Sequence, residues 1–370
     1  MDFSLIFHRA KPFLAVIFMQ FGLAGMDILS KVALNQGMSN YVLVVYRHAA
    51  ATIVTAPLAL IFDKKIRPKM TPAIFFKVLL LGLLEPVIDQ NLYYLGMKHT
   101  TATFVATMVN VLPAITFVMA WILRMERVNI TSRRSQAKIF GTMATVAGAM
   151  IMTLVTGPAL KLFWTRGSTG SAAANVVDIS LHEAILGSIL ITIGCFSWAA
   201  FVILQAITLK TYPAELSLTV WICLMGTLEG SALAFVMERG NSAVWAIRWD
   251  TRLLAAVYSG VFCSGLAYYI QGMVMKERGP VFVTAFNPLC MVIVAVMSSI
   301  FLSEQMHLGR VLGTVVIVLG LYLVIWGKSK DYDSPLKVID EKIALDVELG
   351  NTTKDCKENE NTKELQQNAA

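Results

Sequence analysis

The sequence predicts an all-α membrane protein with ten transmembrane helices. Of its 370 residues, 56% are hydrophobic and 15% are charged, a composition outside the range of ordinary soluble domains. The apolar residues form runs of about 20 residues, the length needed to cross a bilayer. A transmembrane β-barrel would instead show alternating segments of about ten residues. The basic residues do not form a stripe that alternates with exposed aromatic residues, so the sequence does not indicate a nucleic-acid partner.

Ten apolar runs have the length of a membrane span. Backbone groups in lipid must be hydrogen-bonded within their own segment, so each run is expected to be a helix. The runs cover residues 12–34, 41–62, 73–96, 99–123, 135–156, 183–208, 214–236, 252–274, 280–302 and 308–327. The first run is too long for the apolar part of a cleavable signal peptide, and we interpret it as a signal anchor.

The positive charges predict the orientation of the chain. Ten spans put both ends of the chain on the same side of the membrane. That side contains 17 Lys and Arg residues, counted over the N-terminus, the start of the tail and the loops between them. The loops on the opposite side contain seven. Because cytoplasmic loops carry an excess of these residues, both termini are expected in the cytoplasm.

The two halves of the chain contain an internal repeat. A shift of 178 residues aligns residues 97–126 with 275–304 and gives nine identities in 30 positions, among them Lys98 with Lys276. Each copy would hold five spans, an odd number, so the second copy would be inverted in the membrane. Inverted repeats are typical of secondary transporters, which bind substrate between the halves near the membrane midplane.

The repeat divides the chain into five predicted regions. They are a cytoplasmic N-terminus (1–11), a first five-helix repeat (12–156), a non-cytoplasmic linker (157–182), a second five-helix repeat (183–327) and a disordered cytoplasmic tail (328–370). The small-residue pairs Ala144/Gly148 and Gly309/Gly313 are typical of close helix packing. We expect them to pack within one subunit rather than at a dimer seam, which indicates a monomer or a weak homo-oligomer.

Polar residues inside the apolar runs are unfavourable in lipid and usually functional. They predict a substrate-binding group and a second group that acts as a gate or handles protons. The substrate-binding group is Gln20, Glu85, Asn110, Pro113, Trp198, Tyr268, Asn287 and Pro288. The second group is Asp27, Lys31, Arg47, Asp89, Asn91, Gln205 and Gln271.

Helical spacing is the basis for the charged members of these groups. Asp27 and Lys31 are four residues apart, so they share a helix face and can pair. Glu85 and Asp89 have the same spacing in the third run. The alternatives are a purely structural ion pair for Asp27–Lys31, and a buried, protonated carboxyl for either acid of the third run.

Two Asn–Pro combinations predict helix breaks at corresponding places. A proline frees a backbone carbonyl one turn earlier, so breaks near Asn110–Pro113 and Asn287–Pro288 would offer backbone groups to a zwitterion. Asn110 could instead cap a kink at Pro113, and Trp198 is more often a packing residue than a substrate lid.

Three long stretches of the chain resemble the plant nodulin-like transporters. This family is also called walls-are-thin-related or UMAMIT, and it belongs to the drug/metabolite transporter superfamily with two EamA-like repeats. The stretches are 85–126 (EPVIDQNLYYLGMKHTTATFVATMVNVLPAITFVMAWILRME), 11–60 (beginning KPFLAVIFMQFGLAGMD) and 276–331 (beginning KERGPVFVTAFNP). The resemblance implies ten helices and bidirectional or export-type transport of amino acids. It places most members in the plasma membrane and some, which carry auxin, in the vacuolar membrane.

Three functions remain open from the sequence. The first is secondary amino-acid transport, the second is an auxin or organic-acid carrier of the same fold, and the third is a membrane receptor without flux. An enzyme is not expected, because catalytic motifs such as HExxH are missing, and the missing ATP-binding loop excludes pumping driven by ATP within this chain. The five cysteines show no metal-binding spacing, so we predict no metal, no cofactor and no catalytic residue. The expected partners are a small-molecule substrate and the lipid bilayer.

Overall fold

The computed structural model describes residues 3–99, 102–126, 132–155, 158–160, 181–239, 242–246, 250–301 and 306–328. These residues form a bundle of helices. The α-helices are α1 (Phe3–Asn35), α2 (Asn40–Phe62), α3 (Pro72–Gly82), α4 (Gln90–His99), α5 (Ala102–Ile122), α6 (Arg133–Leu154), α7 (Leu181–Thr211), α8 (Glu215–Met237), α9 (Thr251–Tyr258), α10 (Ala267–Arg278), α11 (Pro280–Ala285), α12 (Asn287–Phe301) and α13 (Leu308–Lys328). Most of the predicted linker and the tail beyond residue 328 lie outside the described residues.

Short elements of other types complete the fold. Two π-helical segments, π1 (Leu83–Asp89) and π2 (Ser259–Leu266), continue α3 into α4 and α9 into α10. A 3₁₀ turn covers Ser242–Trp245. Two strands of two residues each, β1 (Ala159–Leu160) and β2 (Met306–His307), pair antiparallel with Ala159 opposite His307.

The predicted helical membrane protein is confirmed. Within the described residues, eight helical stretches are long and apolar enough to cross a membrane: Ala10–Leu34, Asn40–Phe62, Arg133–Leu154, Ile185–Thr211, Glu215–Met237, Thr251–Arg278, Pro280–Met297 and Leu308–Gly327. Met108–Ile122 is also apolar but shorter. The remaining predicted span is the α3–π1–α4 stretch, which contains Glu85 and Asp89. Ten crossings therefore stay a prediction.

The bundle has an apolar exterior and a polar interior. Large apolar side chains point outward, and Ile53 is 74% exposed and Tyr322 64% exposed. Gln20, His48 and Ser264 are fully buried. A protein dissolved in hydrocarbon requires this arrangement, because lipid accepts apolar groups and cannot hydrogen-bond to polar ones.

Helix ends follow familiar local chemistry. Thr71 precedes α3, and its Oγ1 accepts a hydrogen bond from Ile74 N at 3.3 Å. Asp250 caps α9 by accepting hydrogen bonds from the first backbone N–H groups of that helix. Gly37 follows α1 with φ 82°, and Gly279 separates α10 from α11 with φ 80°, backbone values that favour glycine.

Helix contacts between the two halves follow a symmetric pattern. α2 packs on α8 and α6 packs on α13. α7 packs on α4, π1 and α5, while α1 packs on π2, α9, α10 and α12. Exchanging the first five predicted spans for the last five leaves this set of contacts unchanged. The same exchange relates π1 and π2, because a shift of 178 residues moves 83–89 onto 261–267.

Four glycines bring α6 and α13 into close contact. A Cβ added at Gly148 would lie 2.9 Å from the carbonyl oxygen of Gly313, and one at Gly320 would lie 2.8 Å from that of Gly141. Both distances are shorter than real Cβ contacts, so these helices touch through their backbones. Gly148 and Gly313, two of the residues in the predicted small-residue pairs, pack inside one subunit.

Candidate functional site

A polar cavity lies between the two halves of the bundle. Its volume is about 220 Å³, and its walls come from α1, α2, π1, α4, α5, α7, π2, α10 and α12. Nine of the fifteen residues predicted as binding or gating residues line it. They are Gln20, Asp27, Arg47, Glu85, Asp89, Trp198, Tyr268, Gln271 and Asn287.

The π1 segment brings Glu85 and Asp89 to the cavity wall. Pro86 lies inside π1 and has no N–H to donate, so a regular α-helical ladder cannot continue through this turn. A Cβ added at Gly226 of α8 would lie 2.7 Å from Pro86 Cβ, so only glycine leaves room for the widened turn. Ser197 of α7 donates to the carbonyl of Leu84 at 2.8 Å and holds π1 from the other side. π-helical turns are frequent at functional sites.

Both oxygens of Glu85 have protein partners. Gln90 Nε2 donates to Oε1 at 2.6 Å, and the Tyr268 hydroxyl donates to Oε2. His48 Nε2 lies 3.7 Å from Oε2. Glu85 is 4% exposed and His48 is fully buried, so this carboxylate is held by the protein rather than by water.

Arg47 connects the Glu85 cluster to π2. Its Nε donates to Ser264 Oγ at 2.7 Å, and Ser264 Oγ lies 3.4 Å from His48 Nε2. His48 Nδ1 lies 2.8 Å from the carbonyl of Val44, which leaves Nε2 facing Ser264 and Glu85. A connected set of buried polar groups therefore runs from the first half of the chain to the second.

Asp27 and Asp89 both line the cavity, but their side chains differ in their contacts. No described residue donates a hydrogen bond to Asp89. Asp27 is exposed, and the Cys290 thiol lies 4.0 Å from its Oδ2. The side chain of Lys31, its predicted partner, lies outside the described residues.

The family of the chain follows from sequence comparison. The profile of the EamA-like transporter family matches residues 10–154 and 185–326. The chain belongs to this family. Three WAT1-related proteins of Arabidopsis thaliana are 66%, 60% and 58% identical to it, over 94%, 88% and 88% of this chain and 91%, 86% and 90% of theirs. A solved crystal structure shares the fold with a TM-score of 0.64 at 12% identity, covering 87% of this chain and 97% of that chain.

This EamA-like protein is therefore an integral, multi-pass membrane transporter and not an enzyme. Its cavity opens between the two matched stretches, since α1, α2, π1, α4 and α5 belong to the first and α7, π2, α10 and α12 to the second. Secondary transporters built from two repeats bind substrate at the interface between the repeats, and this cavity lies between the two matched stretches.

Five of the residues predicted to bind substrate or to act as a gate do not line the cavity. Asn91 Nδ2 donates to the Val87 carbonyl at 2.8 Å, and Asn40 Nδ2 donates to Asn91 Oδ1. Gln205 Oε1 accepts from Gln271 Nε2 at 2.7 Å, which supports a cavity residue from behind. Asn110 Nδ2 contacts Met291 Sδ. Pro113 and Pro288 do not line the cavity either.

The two predicted proline breaks behave differently. α5 continues from Ala102 to Ile122 through Pro113, so the break predicted there is not observed. The chain does break between α11 and α12, where Asn287 and Pro288 begin the second helix. A proline in the first turn of a helix has no N–H that needs a partner, so Pro288 can stand at the start of α12 without leaving an unpaired donor. Gln20 Nε2 lies 3.5 Å from Asn287 Oδ1 across the cavity.

Contacts between the halves occur at both ends of the bundle. At one end, here called the Phe13 end, the Phe13 and Phe282 rings meet edge to face at 5.2 Å, and Asp63 Oδ2 accepts from Ser217 N at 2.7 Å. At the other end, here called the Trp245 end, Tyr46 donates from its hydroxyl to the Trp245 carbonyl at 2.7 Å. Both sets must change if the halves move.

Several lining residues were missed in the sequence. Gln90, Tyr94, Cys263 and Cys290 line the cavity. The internal repeat could have found two positions, because the 178-residue shift relates Glu85 to Cys263 and Gln90 to Tyr268.

Proposed function

We propose that this transporter moves amino acids by alternating access, as a secondary transporter working bidirectionally or in export. The observation that carries the proposal is the presence of both charge signs in one cavity. Arg47 Nε donates to Ser264 Oγ, and its two terminal nitrogens donate to no described residue. Asp89 accepts no hydrogen bond from the part of the chain that the structure describes. A zwitterion offers a carboxylate to the first group and an ammonium to the second.

Two inverted five-helix repeats, 12–156 and 183–327, provide the moving parts in this proposal. The symmetric helix contacts, the paired π segments and the antiparallel glycine contacts of α6 with α13 support it. The family profile matches nearly the same two stretches. Rocking one repeat against the other would expose the cavity to each side in turn.

The excess of Lys and Arg on one side supports an orientation with both termini and the Phe13 end in the cytoplasm. With that orientation the aromatic contacts close the cytoplasmic side, and the exposed Asp27 marks the open, non-cytoplasmic side. We assign the transporter to the plasma membrane on its resemblance to the plant family. The vacuolar membrane is the alternative.

The proposed roles of the site residues follow their positions. Gln20, Trp198 and Asn287 contact substrate, and Glu85 with Tyr268 holds the two halves in register beside it. The charges of the site come from Asp27, Arg47 and Asp89. Gln205 supports Gln271, which belongs to the cavity wall formed by α10. Asn110, Pro113, Pro288 and Asn91 act on helix shape.

Flux measurements with the purified full-length protein in liposomes test the proposal. Vesicles are loaded with labelled glutamine, other amino acids or indole-3-acetic acid, and release is compared with protein-free vesicles. Saturable, protein-dependent release of amino acids is expected. Release of indole-3-acetic acid alone would favour the auxin carrier. Binding of amino acids without release of any solute would favour a receptor.

A further inference from the structure

The cavity presents hydrogen-bond acceptors that the described part of the protein does not satisfy. Besides Asp89, these are the side-chain oxygens of Gln20 and Gln90. Gln20 is fully buried and Gln90 is 6% exposed, so bulk water does not solvate them. A buried acceptor without a donor is unfavourable by about 1–3 kcal/mol, which a ligand with N–H groups can recover.

The orientation of the Gln90 amide follows from its neighbour. Its Nε2 donates to Glu85 Oε1 at 2.6 Å, and the reversed amide would place two oxygens against each other. Gln90 Oε1 is therefore the free end. Gln20 Nε2 lies 3.5 Å from Asn287 Oδ1, and with this pairing Gln20 Oε1 is left as an acceptor. Both free ends are acceptors.

Glu85 differs from Asp89 in what it can offer a ligand. Both Glu85 oxygens already accept hydrogen bonds, from Gln90 and Tyr268. Protein donors therefore already stabilise the Glu85 carboxylate, and a donor on a ligand gains less there than at Asp89. Asp89 Oδ1 packs closely against Gly194 of α7, where an added Cβ would lie only 3.2 Å from it, so a side chain at that position would crowd the carboxylate.

We propose that the transporter recognises the ammonium group of its substrate through Asp89, with Gln20, Gln90 and Asp27 as further acceptors, and that Glu85 does not contact the substrate. An ammonium group carries three donors and no acceptor, so it complements a set made of acceptors alone. The inference rests on the proposed function of the same cavity. The amine of the solute then decides which solutes the transporter accepts. Solutes with a protonated amine are transported, and carboxylic acids without one are not.

A pair of solutes tests the inference on the unaltered protein. Glutaramic acid is glutamine without its α-amine and keeps the same carboxylate and side-chain amide. In liposomes containing the full chain, unlabelled glutamine should compete with labelled glutamine, and glutaramic acid should compete at least about 10-fold more weakly. Equal competition by the two solutes would overturn the inference even if every variant failed to fold.

Variants separate the two carboxylates. Asp89→Asn should raise the KM for glutamine about 10-fold or more, whereas Glu85→Gln should leave KM within about 3-fold while lowering the thermal stability. Asp250→Asn is the matched control, because Asp250 is exposed outside the cavity and Asn also caps helices. An unchanged KM in Asp89→Asn with a raised KM in Glu85→Gln would overturn the inference and leave amino-acid transport intact. Absence of amino-acid flux in the unaltered protein would instead refute the proposed function.

Discussion

The Tyr268 hydroxyl donates a hydrogen bond to Glu85 Oε2 in the interior of the bundle and so joins the two halves of the transporter. The other oxygen of Glu85 accepts from Gln90. Gln90 and Tyr268 are 178 residues apart, the spacing of the internal repeat. Residues at equivalent positions of the two copies therefore bind the same carboxylate from two sides.

Tyr268→Phe should destabilise the transporter. The substitution keeps the ring and removes the donor, so Glu85 Oε2 loses a buried hydrogen bond worth about 1–3 kcal/mol. The melting temperature of the detergent-solubilised protein measures the effect. Tyr322→Phe, on the exposed apolar surface, is the control and should change stability by less than about 0.5 kcal/mol. Equal melting temperatures for the two variants would show that the Tyr268–Glu85 bond contributes nothing.

Gly148→Leu should separate α6 from α13 and destabilise the fold strongly. A Cβ at Gly148 would lie 2.7 Å from Ile317 N, and backbone cannot move aside as a side chain can. Gly272→Ala is the control, since its nearest neighbour would be 3.6 Å away. Thermal unfolding and the size-exclusion profile check both variants. A stable Gly148→Leu protein that had merely lost a dimer would contradict packing within one subunit.

The buried ion pair of Glu126 and Lys138 should respond differently to single and double substitution. Lys138 Nζ lies 2.9 Å from Glu126 Oε1, and both side chains are buried. Lys138→Met removes the buried cation 2.9 Å from Glu126 and should cost about 3–5 kcal/mol, whereas Lys138→Met combined with Glu126→Leu should recover most of that loss. A double-mutant cycle on thermal stability measures the coupling. Additive losses would contradict a direct pair.

Cys290 should react with a membrane-impermeant maleimide, and substrate should protect it. Its side chain is partly exposed and lines the cavity beside Asp27, whereas Cys223 is buried outside the cavity lining. Mass spectrometry of the labelled peptides, with and without saturating glutamine, measures the modification at each site. Faster labelling of Cys223 than of Cys290 would contradict the position of the cavity.

The sequence predicted the helices and many of the cavity residues for clear physical reasons. Apolar runs of membrane length indicate helices because lipid leaves the backbone no other partner. Charged and amide side chains in such runs indicate an interior surface, and Gln20, Asp27, Glu85 and Asp89 do line the cavity. Glu85 and Asp89, the two acids of the third run, both come from π1.

Other features depend on contacts between distant parts of the chain. The π1 turn is held by Gly226 and Ser197 of the second half, which no local pattern in residues 83–89 indicates. The break predicted at Pro113 was wrong because α5 continues through that proline. His48 gave little signal in the sequence, and its place beside Glu85 appears once α2 packs against π1 and π2.

Exchange of labelled glutamine across liposomes tests alternating access by the transporter most directly. Vesicles containing the full-length protein are loaded with unlabelled glutamine, and uptake of external labelled glutamine is followed without ATP or an ion gradient. The proposed mechanism predicts that internal glutamine accelerates entry of the label several-fold over empty vesicles, because the returning cavity is loaded. Labelled glutamine that binds to the protein but never enters the vesicles, whatever they contain, would contradict transport.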